Sequence, residues 1–137
     1  MGTATADKLM TAEEFLALPD DGVDRWLIRG VLYENRGENV TKRSRKHSTA
    51  MMRIGQLLLN WLDTRPEPRG EVAGGEAGFI IKRNPDTMVG IDVAYVSPET
   101  VSHQIGDTVY YDGPPVLAVE ILSPSNTHQE VKDKVRD

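Results

Sequence analysis

Residues 114–126, PPVLAVEILSPSN, set a single glutamate, Glu120, inside an otherwise apolar run. Bounded by Gly113-Pro-Pro on one side and Ser123-Pro-Ser on the other, the run reads as a strand buried on both faces. Burying an unpaired carboxylate costs on the order of several kcal/mol, so Glu120 is expected to be hydrogen-bonded, paired with a cation or bound to a metal. Residues 88–96, MVGIDVAYV, repeat the pattern with Asp92 among apolar and β-branched neighbours. Two strands, each with one interior acid, point to one shared site.

Composition bounds what that site can be. A chain of 137 residues with 39% hydrophobic content fits one domain with one core. No apolar run approaches the roughly 18 residues of a membrane span, and the N-terminus is not the basic-then-apolar kind of a secretory signal, so no membrane partner and a cytoplasmic location are expected. With no cysteine and only three histidines, thiolate and histidine-rich zinc sites are disfavoured and oxygen ligands remain. The net charge of −5 argues against a protein that coats nucleic acid, while leaving room for a local basic patch.

Outward from the two strands, residues 1–10 read as a flexible leader and residues 11–137 as one domain. Thr11-Ala-Glu-Glu14 is a capping-box signature for a short helix that ends at Pro19. Residues 25–34, RWLIRGVLYE, predict two short strands or one hairpin-like bend at Gly30. Met51, Ile54, Leu57, Leu58, Trp61 and Leu62 recur at helical spacing and predict the main helix over 48–63, packed on the sheet through Ile54, Leu58 and Trp61. Lys42, Arg43, Arg45, Lys46 and His47 crowd its N-terminal end, as either a solvated charged turn or an edge that contacts phosphates. Glu71-Val-Ala, a Gly-Gly break and a strand over 76–82 follow, then a turn at Asn84-Pro-Asp86 and the Asp92 strand as its antiparallel neighbour. Residues 106–112 form a short edge strand or a lid-like loop. Residues 128–137 favour helix, with Val131 and Val135 on a narrow apolar face that is expected to be poorly buried or covered by another copy in a homodimer.

A helix with an early histidine, then I-D-V-A-Y-V, then V-E-I-L-S-P-S-N, then a lysine-bearing helix: this order resembles the Uma-type family of restriction-endonuclease-like proteins in the PD-(D/E)XK nuclease superfamily. The resemblance runs from Thr11 to the end of the chain. It implies an α/β (α+β) fold with a restriction-endonuclease-like core, a mixed central sheet flanked by helices, and a chain truncated at its C-terminus relative to that family. Asp92 matches the family's motif aspartate, Glu120 its motif glutamate and Lys134 its helix lysine, with Glu130 just before it. Three positions depart from the wider pattern: Leu122 stands where many superfamily members have lysine, Ile91 where proline is usual, and Arg25-Trp-Leu-Ile28 lacks an auxiliary acid.

The implied activity is hydrolysis of DNA phosphodiester bonds with Mg²⁺ or Mn²⁺ held by Asp92 and Glu120, Glu76 being a further candidate ligand and Lys134 orienting the nucleophile or stabilising charge. The alternative is a nuclease-derived domain that binds nucleic acid or a protein without cleaving, in which the two acids serve structural ion pairs.

Overall fold

The computed structural model describes residues 8–35, 43–104 and 109–122, with Lys132, Val135 and Arg136. Thr11 caps helix α1 (Ala12–Leu16) by accepting a hydrogen bond from the Glu14 N–H at 3.1 Å, so the capping signature is realised. Strands β1 (Asp24–Ile28) and β2 (Val31–Asn35) pair antiparallel around Arg29-Gly30. Both turn residues have positive φ, 49° and 77°, the two-residue hairpin turn whose twist suits its strands. Glycine is required at the second position, because a Cβ on Gly30 would lie 2.7 Å from that of Leu9. Leu9 and Met10, at the end of the stretch read as a leader, are thereby tied to the hairpin, and the Met10 N–H donates to the Gly30 carbonyl at 2.8 Å.

Ser44 begins helix α2 (Arg45–Asp63) by accepting from the His47 N–H at 3.1 Å. The helix stops before Pro66, which cannot continue it. Its inward side is His47, Met51, Ile54, Leu58 and Leu62, whereas Leu57 is exposed. Trp61 meets the sheet as expected, edge-on to Tyr95 at 5.1 Å, but keeps 41% of its surface exposed, with the Arg65 guanidinium over its ring.

Strands β3 (Glu71–Lys82) and β4 (Thr87–Val96) form the long antiparallel hairpin at the centre of the sheet. The Gly-Gly break expected before Glu76 is instead a bulge within one continuous strand, between Gly74 and Ala77. An extra residue there bends the strand without ending it. Helix α3 (Pro98–Ser102) follows, then β5 (Tyr111–Asp112), which pairs parallel with β3, and β6 (Leu117–Val119), which pairs antiparallel with β4. Of the two readings for residues 106–112, the edge strand holds at Tyr111–Asp112; residues 105–108 lie outside the described residues.

Among the described residues the result is a mixed α+β fold with a six-stranded sheet in the order β2-β1-β4-β3-β5, β6 lying beside β4. β3 occupies one edge of β4 along its length; the other edge is shared by β1, at Met88, and β6, at Val93 to Tyr95. Two apolar clusters flank the hairpin: Ala12, Leu27, Ile80 and Met88 under α1, and Phe79, Ile91, Ala94 and Val96 nearer β5. Complete burial of Phe79, Leu27, Val93 and Val96 stabilises the fold by about 1.5–3 kcal/mol per side chain.

The strand predicted to be buried on both faces is corrected here. β6 is three residues long, Leu117 is 43% exposed, and Val116 and Leu122 on either side of it are 68% and 60% exposed. Among the described residues β6 has one sheet neighbour, so its apolar run lies at an edge. Val135 is 81% exposed, as expected of the narrow face; Val131 lies outside the described residues. Among the described residues no helix is long and apolar enough to cross a membrane.

Candidate active site

Asp92 lies near the middle of β4 with only 4% of its surface exposed. Both of its oxygens have close neighbours. Oδ2 accepts a hydrogen bond from the Ile121 N–H at 2.9 Å, and Oδ1 lies 3.3 Å from Nε2 of His47. Glu120 follows β6 and is half-buried. The antiparallel register of β6 on β4 ends with Val119 opposite Val93, so Glu120 follows the last paired residue just as Asp92 adjoins its partner. The Ile121 N–H reaching the Asp92 side chain keeps this stretch close to β4. The two acids singled out in the sequence therefore lie on neighbouring stretches of chain.

On the other edge of Asp92 is the β3 bulge. Its flanking pairs, Gly74 with Val93 and Ala77 with Ile91, leave Gly75 and Glu76 opposite Asp92. Both bulge residues have left-handed backbone, φ 74° and 60°, which glycine adopts freely and glutamate rarely. The Glu76 carboxylate is ion-paired with the guanidinium of Arg43, just before the Ser44 cap of α2. Arg43, His47, Ser48, Met51, Gly75, Glu76 and Asp92 line a pocket of about 380 Å³. Glu120 is not among its lining residues.

The basic group at the start of α2 divides in two. Arg43, Arg45 and Lys46 are exposed. His47 is 6% exposed and turned inward against Asp92, away from the solvated edge with which its charge had grouped it. Its position was readable: His47, Met51, Ile54 and Leu58 fall at helical spacing on one stripe. Among the described residues Nδ1 of His47 is buried with no hydrogen-bond partner, a state that costs about 1–3 kcal/mol unless water or a ligand satisfies it. Lys42, Glu130 and Lys134 lie outside the described residues.

The donor chemistry fits a hard divalent cation. Mg²⁺ takes oxygen ligands and is usually held by one or two carboxylates, with water and substrate phosphate completing its shell. Asp92, on the wall of a pocket, and Glu120, on the adjoining segment, are carboxylates of that kind. Among the described residues no group of three or more histidine, aspartate or glutamate side chains converges as a ready-made metal cage.

Sequence signals for the partners of Asp92 were thin. The Arg43–Glu76 pair joins residues 33 apart, and the bond from Ile121 is made by a backbone amide that any residue supplies. Only the Gly74-Gly75 pair hinted that β3 would bulge beside the site.

Comparison with known families finds that residues 12–137 match the sequence model described as "Uma2: Putative restriction endonuclease". No curated protein matches the chain.

Proposed function

Because the chain belongs to the Uma2 putative restriction endonuclease family, we propose that it is a divalent-metal-dependent endonuclease acting on DNA, with Asp92 and Glu120 as the carboxylates that hold the cation. Family membership supports nuclease chemistry and a DNA substrate. The observation that carries the assignment of the site is Asp92: a carboxylate almost wholly buried in the central strand, yet on the wall of a pocket whose rim carries an arginine.

The chemistry supplied by a bound Mg²⁺ or Mn²⁺ is a more acidic water molecule and neutralisation of charge on the attacked phosphate. The chain's own residues prepare for it. The Ile121 N–H and the His47 ring restrain the two oxygens of Asp92, so the carboxylate is oriented before any ligand arrives. Arg43 offers a planar fork of donors suited to a phosphate. Arg45 and Lys46 extend the positive edge along which a DNA backbone would run. Lys134 is assigned by resemblance to orienting the nucleophile or stabilising charge.

The test is plasmid cleavage with Mg²⁺ or Mn²⁺. Asp92→Asn and Glu120→Gln should each cut activity by about a hundredfold or more, the scale of losing a principal electrostatic group, while the far-ultraviolet dichroism stays that of the parent. Glu120→Gln should keep or raise the melting temperature, since an amide relieves the repulsion between neighbouring carboxylates in the metal-free protein. A second reading, a domain that binds without cutting, is favoured by one observation: both Asp92 oxygens and the Glu76 carboxylate already have protein partners. A parent that cleaves nothing and shows no metal-dependent shift in melting, together with a marked melting loss in Glu120→Gln, would overturn the catalytic reading.

A further inference from the structure

We propose that Glu76 is an internal stand-in for a DNA phosphate, occupying Arg43 until a backbone phosphate displaces it. The inference rests on the nuclease reading and deepens it by naming how the pocket is kept closed to weakly bound anions.

One chemical rule and two observations lead there. A carboxylate and a phosphate present similar paired oxygens to a guanidinium, so whatever holds Arg43 in the free protein competes for the groups that a phosphate needs. Arg43 and Glu76 line the same pocket as Asp92, so a phosphate brought to Asp92 arrives beside this pair. The pair is also half-exposed, at 42% and 43% of the two side chains, and exposed ion pairs are weak enough to exchange.

The backbone explains why the carboxylate stands in that place. Glu76 sits in the bulge at φ 60°, opposite Asp92, and Gly90 on β4 makes room for it: a Cβ there would lie 3.3 Å from the Glu76 carbonyl oxygen. The bulge thus aims an acid across the pocket at an unusual backbone conformation, where glycine would sit without strain. An acid used only for solubility needs no such placement.

The experiment is a binding cycle with a short fluorescent DNA duplex in EDTA, read by anisotropy, on the full chain as parent, Glu76→Gln, Arg43→Gln and the double variant. Glu67→Gln, an acid in an exposed loop, controls for the general gain from removing one negative charge. Freeing Arg43 should tighten binding about two- to fivefold in Glu76→Gln, the scale of one exposed ion pair. Without Arg43 the gain should vanish, so the double variant should bind like Arg43→Gln alone. The proposal is overturned if Glu76→Gln does not tighten binding, if Glu67→Gln tightens it equally, or if the gain survives the loss of Arg43. Binding by the parent with purely additive effects sinks the stand-in alone. Absence of DNA binding in all of these proteins removes DNA as the substrate, and the stand-in with it.

Discussion

Asp86, in the turn between β3 and β4, accepts from the Ala12 N–H through Oδ2 at 2.8 Å and from the Asn84 N–H through Oδ1 at 3.1 Å. Its backbone carbonyl accepts from the Gly30 N–H at 2.7 Å, and the neighbouring Thr87 hydroxyl accepts from the Arg29 N–H at 2.9 Å. A short turn thereby fastens both α1 and the β1–β2 hairpin to the sheet. The bond from Ala12, opposed by burial and aided by Asn84 and Arg83, holds the Asp86 carboxyl below its ordinary value of 3.8. Its contribution is therefore complete above that pH and lost as the pH falls through the lower folded value. Asp86→Asn should cost about 2 kcal/mol at neutral pH, the worth of a hydrogen bond to a charged group, and urea titrations should show the gap from the parent narrowing below pH 3.8. In sequence, Asn84-Pro-Asp reads as a turn and no more, because partners 74 residues away leave no local mark. Asp92 was legible for the opposite reason: an acid among β-branched neighbours is locally anomalous, whatever it touches.

At the scale of elements, α2 and β3 put opposite demands on their glycines. A Cβ on Gly55 of α2 would meet nothing within 4 Å, so Gly55→Ala should stabilise by up to about 1 kcal/mol through helix propensity. A Cβ on Gly70, just before β3, would lie 1.9 Å from the Val96 carbonyl oxygen, and Gly70→Ala should destabilise by about 2 kcal/mol or more. Thermal melting of the two variants should move in opposite directions. The helix was readable from its 3.6-residue stripe, since that periodicity depends on the helix alone. Which residues of the stripe are covered depends on the width of what lies beneath, and so Leu57 and Trp61 remain exposed. The run at 114–126 misled for a related reason: apolar composition says that a strand has something to bury, not how many neighbours it finds. β6 nonetheless pairs with β4 up to Val93, next to Asp92, and Glu120 follows it in the chain.

Over the whole molecule the charge is −5, yet Arg43, Arg45 and Lys46 stand exposed together at one end of α2. Such a cluster attracts anions locally against an overall field that repels them. The sheet that carries this cluster was foreseeable as a sheet, from alternating and apolar runs separated by turn residues. Its order was not, because the sharing of one edge of β4 between β1 and β6 is settled by long-range packing. The bulge at Glu76 has a consequence in heredity. A glutamate at φ 60° gives up about 1 kcal/mol or more relative to glycine there, so stability by itself does not preserve it. In a library randomised at position 76, propagation under heat challenge alone should enrich glycine and asparagine, whereas propagation that also requires nuclease function should retain an acid. Sequencing the two surviving populations would reveal what this position has been inherited for.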